Sequence, residues 1–184
     1  STNVRGAETL RINEAVNAVG CVGYRPSQVV DGTMPFYRTQ NREISAYDVI
    51  EAEKILNKHE PNHIFICCCP DPKKTHIKCL NILQNCKMPD SVKHIWLYKS
   101  AWEGFKHNES NVEIIFDDET LERKKKAIMS HESQHQLMVN DGDTTGLQSI
   151  IDGYQKSEKF PGYYSEKFNV VTPKQFHKKT ISSS

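Results

Sequence analysis

A carboxylate, two ammonium groups and an imidazole stand together in Cys69-Pro70-Asp71-Pro72-Lys73-Lys74-Thr75-His76. This segment leads from the apolar run 63–68 into a helical pattern. In an open α/β sheet, chemistry gathers in loops beyond the carboxyl ends of strands, and this loop falls there. A helix start disfavours an imidazolium, and a neutral imidazole is a metal ligand. On local chemistry alone a plainer arrangement competes: Asp71 caps the helix, both lysines are solvated, and His76 only hydrogen-bonds.

A second constellation is His131-Glu132-Ser133-Gln134-His135, which matches H-E-x-x-H. Two histidines at i and i+4 share a helix face, Glu132 would be the general base, and Glu158 a third ligand. That is a metalloprotease reading, and it is the minor one. Such helices sit deep in a core with apolar x positions, whereas here they are Ser133 and Gln134, with Lys124, Lys125 and Lys126 just upstream. His131 and His135 are therefore not expected to share a zinc ion. Trp96 and Trp102 flank Tyr98-Lys99-Ser100-Ala101 and would suit the rim of a sugar pocket, although core packing accounts for Trp96. No G-x-x-x-x-G-K-[ST] and no G-x-G-x-x-G occurs, so nucleotide binding lacks its usual loop.

The elements that must position these groups follow from hydrophobic period and turn chemistry. A helix is expected over Ala7–Ala18 with Gly20 as its stop, then a short strand at Cys21–Tyr24. Asp31-Gly32-Thr33 reads as a turn, and Met34-Pro35-Phe36-Tyr37 as extended. Ser45 caps a helix, with Asp48 three residues on, that ends near His59 before Pro61. His63–Cys68 is an unbroken apolar run, as expected of an interior parallel strand buried on both faces. A helix then carries Ile77, Leu80, Ile82 and Leu83. Strands are expected at His94–Tyr98 and Asn111–Phe116, and Asp117-Asp118 opens a long helix. Beyond Asn140 the pattern weakens, with a helical stretch at Leu147–Tyr154, a turn at Phe160-Pro161-Gly162 and a frayed tail from Lys178. Alternating strands and helices predict an α/β fold, a three-layer α/β/α sandwich with a mainly parallel, Rossmann-like sheet.

Composition sets bounds on function. The 184 residues suit one domain with a tail, and we expect a single domain over 1–177 followed by 178–184. Lys and Arg number 24 against 23 Asp and Glu, a net charge of +1, so nothing in the composition supports nucleic-acid binding. No apolar run approaches the roughly 20 residues of a membrane helix. Of the 6 cysteines, Cys67, Cys68 and Cys69 are consecutive, so on a strand they alternate faces and cannot form one metal claw. Buried reduced thiols in a cytoplasmic protein are the expectation. The first residue is Ser1, so a processed or trimmed chain, or a piece of a longer polypeptide, is expected.

These pieces in their order resemble the LmbE/PIG-L family of zinc-dependent de-N-acetylases, in the version appended to glucosamine-6-phosphate deaminase (isomerase) domains. Ala18-Val19-Gly20 closes a helix similar to the family's early one. Pro35-Phe36-Tyr37 is similar to L-P-F-Y, and Asp71-Pro72-Lys73-Lys74-Thr75-His76-Ile77-Lys78-Cys79 to D-P-H-G-T-H-x-x-C. Trp96-Leu97-Tyr98-Lys99-Ser100-Ala101-Trp102 is similar to W-L-Y-R-G-A-W. Lys125, Ala127, Ile128, His131, Ser133 and Gln134 follow K-x-A-[IL]-x-x-H-x-S-Q, with a local offset.

The resemblance implies a zinc ion held by His76 and by a His and an Asp of an early H-P-D-D motif, which these residues do not contain. It implies Lys73 in the loop position of an oxyanion-stabilising His, with Asp71 the first candidate for ligand or base. Tyr37, Trp102 and His131 would then bind substrate. Glu8 and Arg11 stand where the family shows Arg and then Glu three residues on. The domain would lack its first strand. Its implied partners are an amino sugar or amino-sugar phosphate and a fused or associated deaminase domain. A hydrolytic role in amino-sugar metabolism and a non-catalytic binding or structural role both follow from this resemblance.

Overall fold

The computed structural model describes residues 2–25, 34–38, 43–68, 75–99, 105, 109–140, 146–152, 154–157 and 160–178. The chain divides into two compact units, one of 1–31 with 114–166 and one of 32–113 with 167–184.

The second unit is built on α2 (Pro35–Arg38), α3 (Ala46–His59), β1 (His63–Cys67), α4 (Thr75–Asn85), β2 (His94–Tyr98) and α8 (Pro173–Lys178). Ser45 caps α3 in extended conformation, and Glu60 closes it in the left-handed region while its N–H reaches the Leu56 carbonyl. α4 carries a clear apolar stripe: Leu80, Ile82 and Leu83 are buried. Parallel β1 and β2 pair in register from His63↔His94 to Cys67↔Tyr98. Ile64, Ile66, Ile95 and Leu97 turn to one face, where they join Phe36, Leu56, Leu80, Ile82, Leu83, Cys86 and Phe176 in one core. Burial of these side chains, at roughly 1.5–3 kcal/mol each, is what holds α3, α4 and α8 against the strands.

Two expectations about the sheet are corrected here. The strand order is β1-β2-β5-β3, where β3 is Val112–Phe116 and β5 is Tyr164–Val171. Within the described residues β1 ends this order, so it is not interior. Its second face also stays open, with Phe65 54% exposed. An unbroken apolar run thus marked one buried face and one aromatic face. On that second face Phe65 stacks on Trp96 at 5.0 Å, and Phe168 meets both rings edge-on. Trp96 is half-buried there, and its Nε1 donates to His63 Nδ1 at 3.2 Å.

The sheet is also mixed. β2 and β5 are antiparallel, with Ile95 opposite Val171. β4 (Gln155–Lys156) pairs antiparallel with the start of β5, next to the turn at Phe160–Gly162, with Gly162 at φ 87. Asn111 fastens the start of β3 to β5, donating to the Val170 carbonyl at 2.8 Å and accepting the Val170 N–H at 2.7 Å.

The first unit holds α1 (Thr2–Cys21), α5 (Asp118–Met129), α6 (Glu132–Asn140) and α7 (Gln148–Asp152). α1 runs through Gly20, and Gly23 at φ 86 supplies the left-handed stop, with Tyr24 N–H bonded to the Val19 carbonyl. No strand forms at 21–24. Asp117 caps α5 by accepting from Thr120 N–H at 2.8 Å. Lys124 lies between the Phe116 and Tyr154 rings, 4.8 and 5.0 Å from their centroids, and pairs with Glu166 at 2.6 Å. Among the described residues no helix is long and apolar enough to cross a membrane.

Candidate functional site

Met34–Tyr37, expected to be extended, instead enters the single helical turn α2. Pro35 suits its first position, because proline has no N–H to leave unpaired there. The Phe36 N–H is held by Asp48 Oδ1 at 2.7 Å. Asp48 Oδ2 takes the Ser45 N–H at 2.7 Å and the Ser45 hydroxyl at 2.8 Å. Asp48 and Phe36 are both fully buried.

The Phe36 ring then meets α4. Lys78 Nζ stands 5.8 Å from the ring centroid and 3.7 Å from Glu43 Oε1. The Lys78 side chain is almost enclosed while Glu43 is open to water, so this ion pair is screened on one side. His76 is the second residue of α4 and is exposed. Residues two apart on a helix do not share a face, so Lys78 packs inward while His76 faces water. α2, α3 and the first turns of α4 thereby meet around one ring. Tyr37 lies in α2.

Asp71, Lys73 and Trp102 lie outside the described residues. The resemblance implies zinc, and the fit can be tested on the residues that are described. They bring no cluster of three or more His, Cys, Asp or Glu together.

In the first unit, the H-x-S-Q segment has a structural partner. Glu14, buried in α1, accepts the Ser133 N–H and the Ser133 hydroxyl, each at 2.7 Å. Gln134, with its amide oxygen turned to Arg11, accepts from Nη2 and Nε at 3.1 Å each. A carboxylate at Ser133 also sits at the positive end of α6. Arg11 and Glu14, three residues apart on α1, thus hold Gln134 and Ser133 side by side. Arg11 and Glu14 were legible as an i, i+3 pair, but their target was not.

His131 precedes α6, and its carbonyl accepts from Gln134 and His135 N–H at 3.0 and 3.1 Å. His135 Nδ1 accepts the Leu147 N–H at 3.2 Å. That nitrogen is therefore engaged by backbone rather than turned toward His131.

The chain is 27% identical over 113 residues, 55% of its length, to a glucosamine-6-phosphate deaminase-like protein of Bacteroides thetaiotaomicron. The match covers 17% of that protein, so the chain spans a small part of its relative's length. No family model matches the chain. No solved structure matches it.

Proposed function

We propose that this chain is part of a de-N-acetylase-like domain of the LmbE/PIG-L kind, one associated with glucosamine-6-phosphate deaminase-type proteins. It takes an amino sugar or amino-sugar phosphate beside α2 and the start of α4, in a cytoplasmic setting. Residues 1–177 belong to that one domain. The observation that supports this most is the packing of two resembling segments on each other: Phe36 of the Pro35-Phe36-Tyr37 turn meets Lys78 of the His76 helix. The deaminase-like relative points to the same substrate class.

In this reading Tyr37 and Trp102 contact the sugar, Lys73 donates to a developing oxyanion, and Asp71 serves as base or ligand. His76 would be one ligand of a zinc ion, and such an ion would supply Lewis-acid chemistry to an amide and to water. Calorimetric titration with glucosamine 6-phosphate and with N-acetylglucosamine tests the binding half. Saturable binding of either that His76→Ala or Tyr37→Ala weakens supports the reading. Absence of binding for both sugars, with and without zinc, refutes it.

The second reading, a binding or structural module without catalysis, is favoured by a specific contact. Ser133 and Gln134 of the H-x-S-Q segment are occupied by Glu14 and Arg11, which is a structural use of that motif. Release of acetate from N-acetylglucosamine by the zinc-loaded chain would decide for hydrolysis.

A further inference from the structure

We infer that Asp48 is the positioning residue of this site: its buried carboxylate sets α2, and with it Tyr37, against the first turns of α4, and with them His76. The inference rests on the reading that α2 and α4 flank the amino-sugar site.

An ordinary capping box lies at the surface and serves its own helix. Asp48 does more. One oxygen takes the cap donors of Ser45, while the other is spent on the Phe36 N–H, twelve residues back. Enclosing a carboxylate is costly unless its lone pairs are filled, so the bonds to Phe36 and Ser45 are tied to one another. α2 is only 4 residues long, and one turn does not hold itself in water. Its conformation therefore depends on the Asp48 bond and on burial of the Phe36 ring. That same ring lies against Lys78, two residues beyond His76. The link from carboxylate to amide to ring to α4 is thus continuous, and it lies wholly within the second unit.

Asp48→Asn tests this, because it keeps the shape and removes one acceptor oxygen. Its amide nitrogen must then face a donor, either Phe36 N–H or Ser45 N–H. Amide hydrogen exchange of the whole chain is the first readout. Protection of the Phe36 amide should fall by about tenfold or more, the worth of one charge-assisted bond, while 77–85 and 94–98 keep theirs. Ser45→Ala, which spares the Phe36 bond, should leave the Phe36 amide protected. Unchanged protection at Phe36, or an equal loss throughout the unit, overturns the inference.

Affinity for glucosamine 6-phosphate is the second readout. It should fall with Asp48→Asn and hold with Ser45→Ala. If the native chain binds the sugar and Asp48→Asn binds it equally well, Asp48 does not position the site. If the native chain binds no amino sugar, the functional reading fails, and exchange alone still decides whether Asp48 sets α2. Should Asp48→Asn fail to fold, exchange of the native chain in rising urea replaces it. Phe36, Ser45 and Asp48 amides should then open together, and independent opening overturns the link.

Discussion

Glu14 holds Ser133 by both its backbone N–H and its hydroxyl, each at 2.7 Å, across 119 positions of sequence. The bond joins α1 to the first turn of α6, and it turns a sequence with the outline of a protease motif into a helix clasp. Two charge-assisted hydrogen bonds to a buried carboxylate make Glu14→Ala costly, by about 3 kcal/mol in urea unfolding. Ser133→Ala should cost about 1–2 kcal/mol, since the backbone bond survives. In a double-mutant cycle the two should couple by about 1 kcal/mol, and strict additivity would show that the clasp carries no energy.

His135 uses Nδ1 to accept the Leu147 N–H. Removing it leaves that amide without its acceptor beside buried Leu147, so His135→Ala should destabilise the chain by about 1–2 kcal/mol. Zinc affinity, measured by competition with a chelating dye, should not change with His131→Ala or His135→Ala. A loss in both variants would restore the H-E-x-x-H reading.

Burial pushes the Cys86 thiol up to about 11, and the charge of Glu53 adds to it. Its Sγ donates to the Ile82 carbonyl at 3.2 Å. The folded chain thus keeps this thiol neutral after the unfolded chain has ionised. The stability it contributes is complete below about pH 9 and is lost as pH rises through 11. Denaturant midpoints taken at pH 7 and at pH 10.5 should differ in the native chain, and by less in Cys86→Ala. Alkylation of Cys86 at neutral pH should require unfolding.

Asp117 is shifted the other way. Its hydrogen bonds from the Thr120 side chain and backbone hold the carboxylate below its ordinary value. The cap therefore contributes fully above about pH 4, where the unfolded carboxylate is ionised, and fades as pH falls through the lower folded value. Asp117→Ala should fray the first turn of α5 at pH 7 and make exchange at 118–121 insensitive to acid. An acid response that persists in the variant would assign it to another group.

Lys124 is held by two rings and by Glu166. Its side chain is partly exposed, so Lys124→Met should cost only about 1 kcal/mol. Tyr154 is raised above the usual phenol range by burial first and by Glu166 second. An alkaline absorbance titration of the folded chain should show a tyrosine ionising above the usual phenol range, and Tyr154→Phe should remove that step.

α3, α5 and the three strands β1, β2 and β3 were legible from the residues because their signals are local. Ser45 and Asp117 are caps, Pro61 is a stop, and an apolar run of strand length needs no partner to be recognised. The antiparallel direction of β5 against β2 was not legible, since strand direction is decided by what the strand pairs with. α8 carries a local signature of its own. Thr172 and Gln175 bond reciprocally as a capping box, with Pro173 between them. The helical turn at Pro35–Arg38 depends on a carboxylate twelve residues later, and the fate of Ser133 on one 119 residues earlier. Such contacts close long loops, and their entropy is offset only once the surrounding core has formed. Local spacing carries no record of that closure, so the residues of the candidate site could be named from the chain while their partners appeared only in the folded structure.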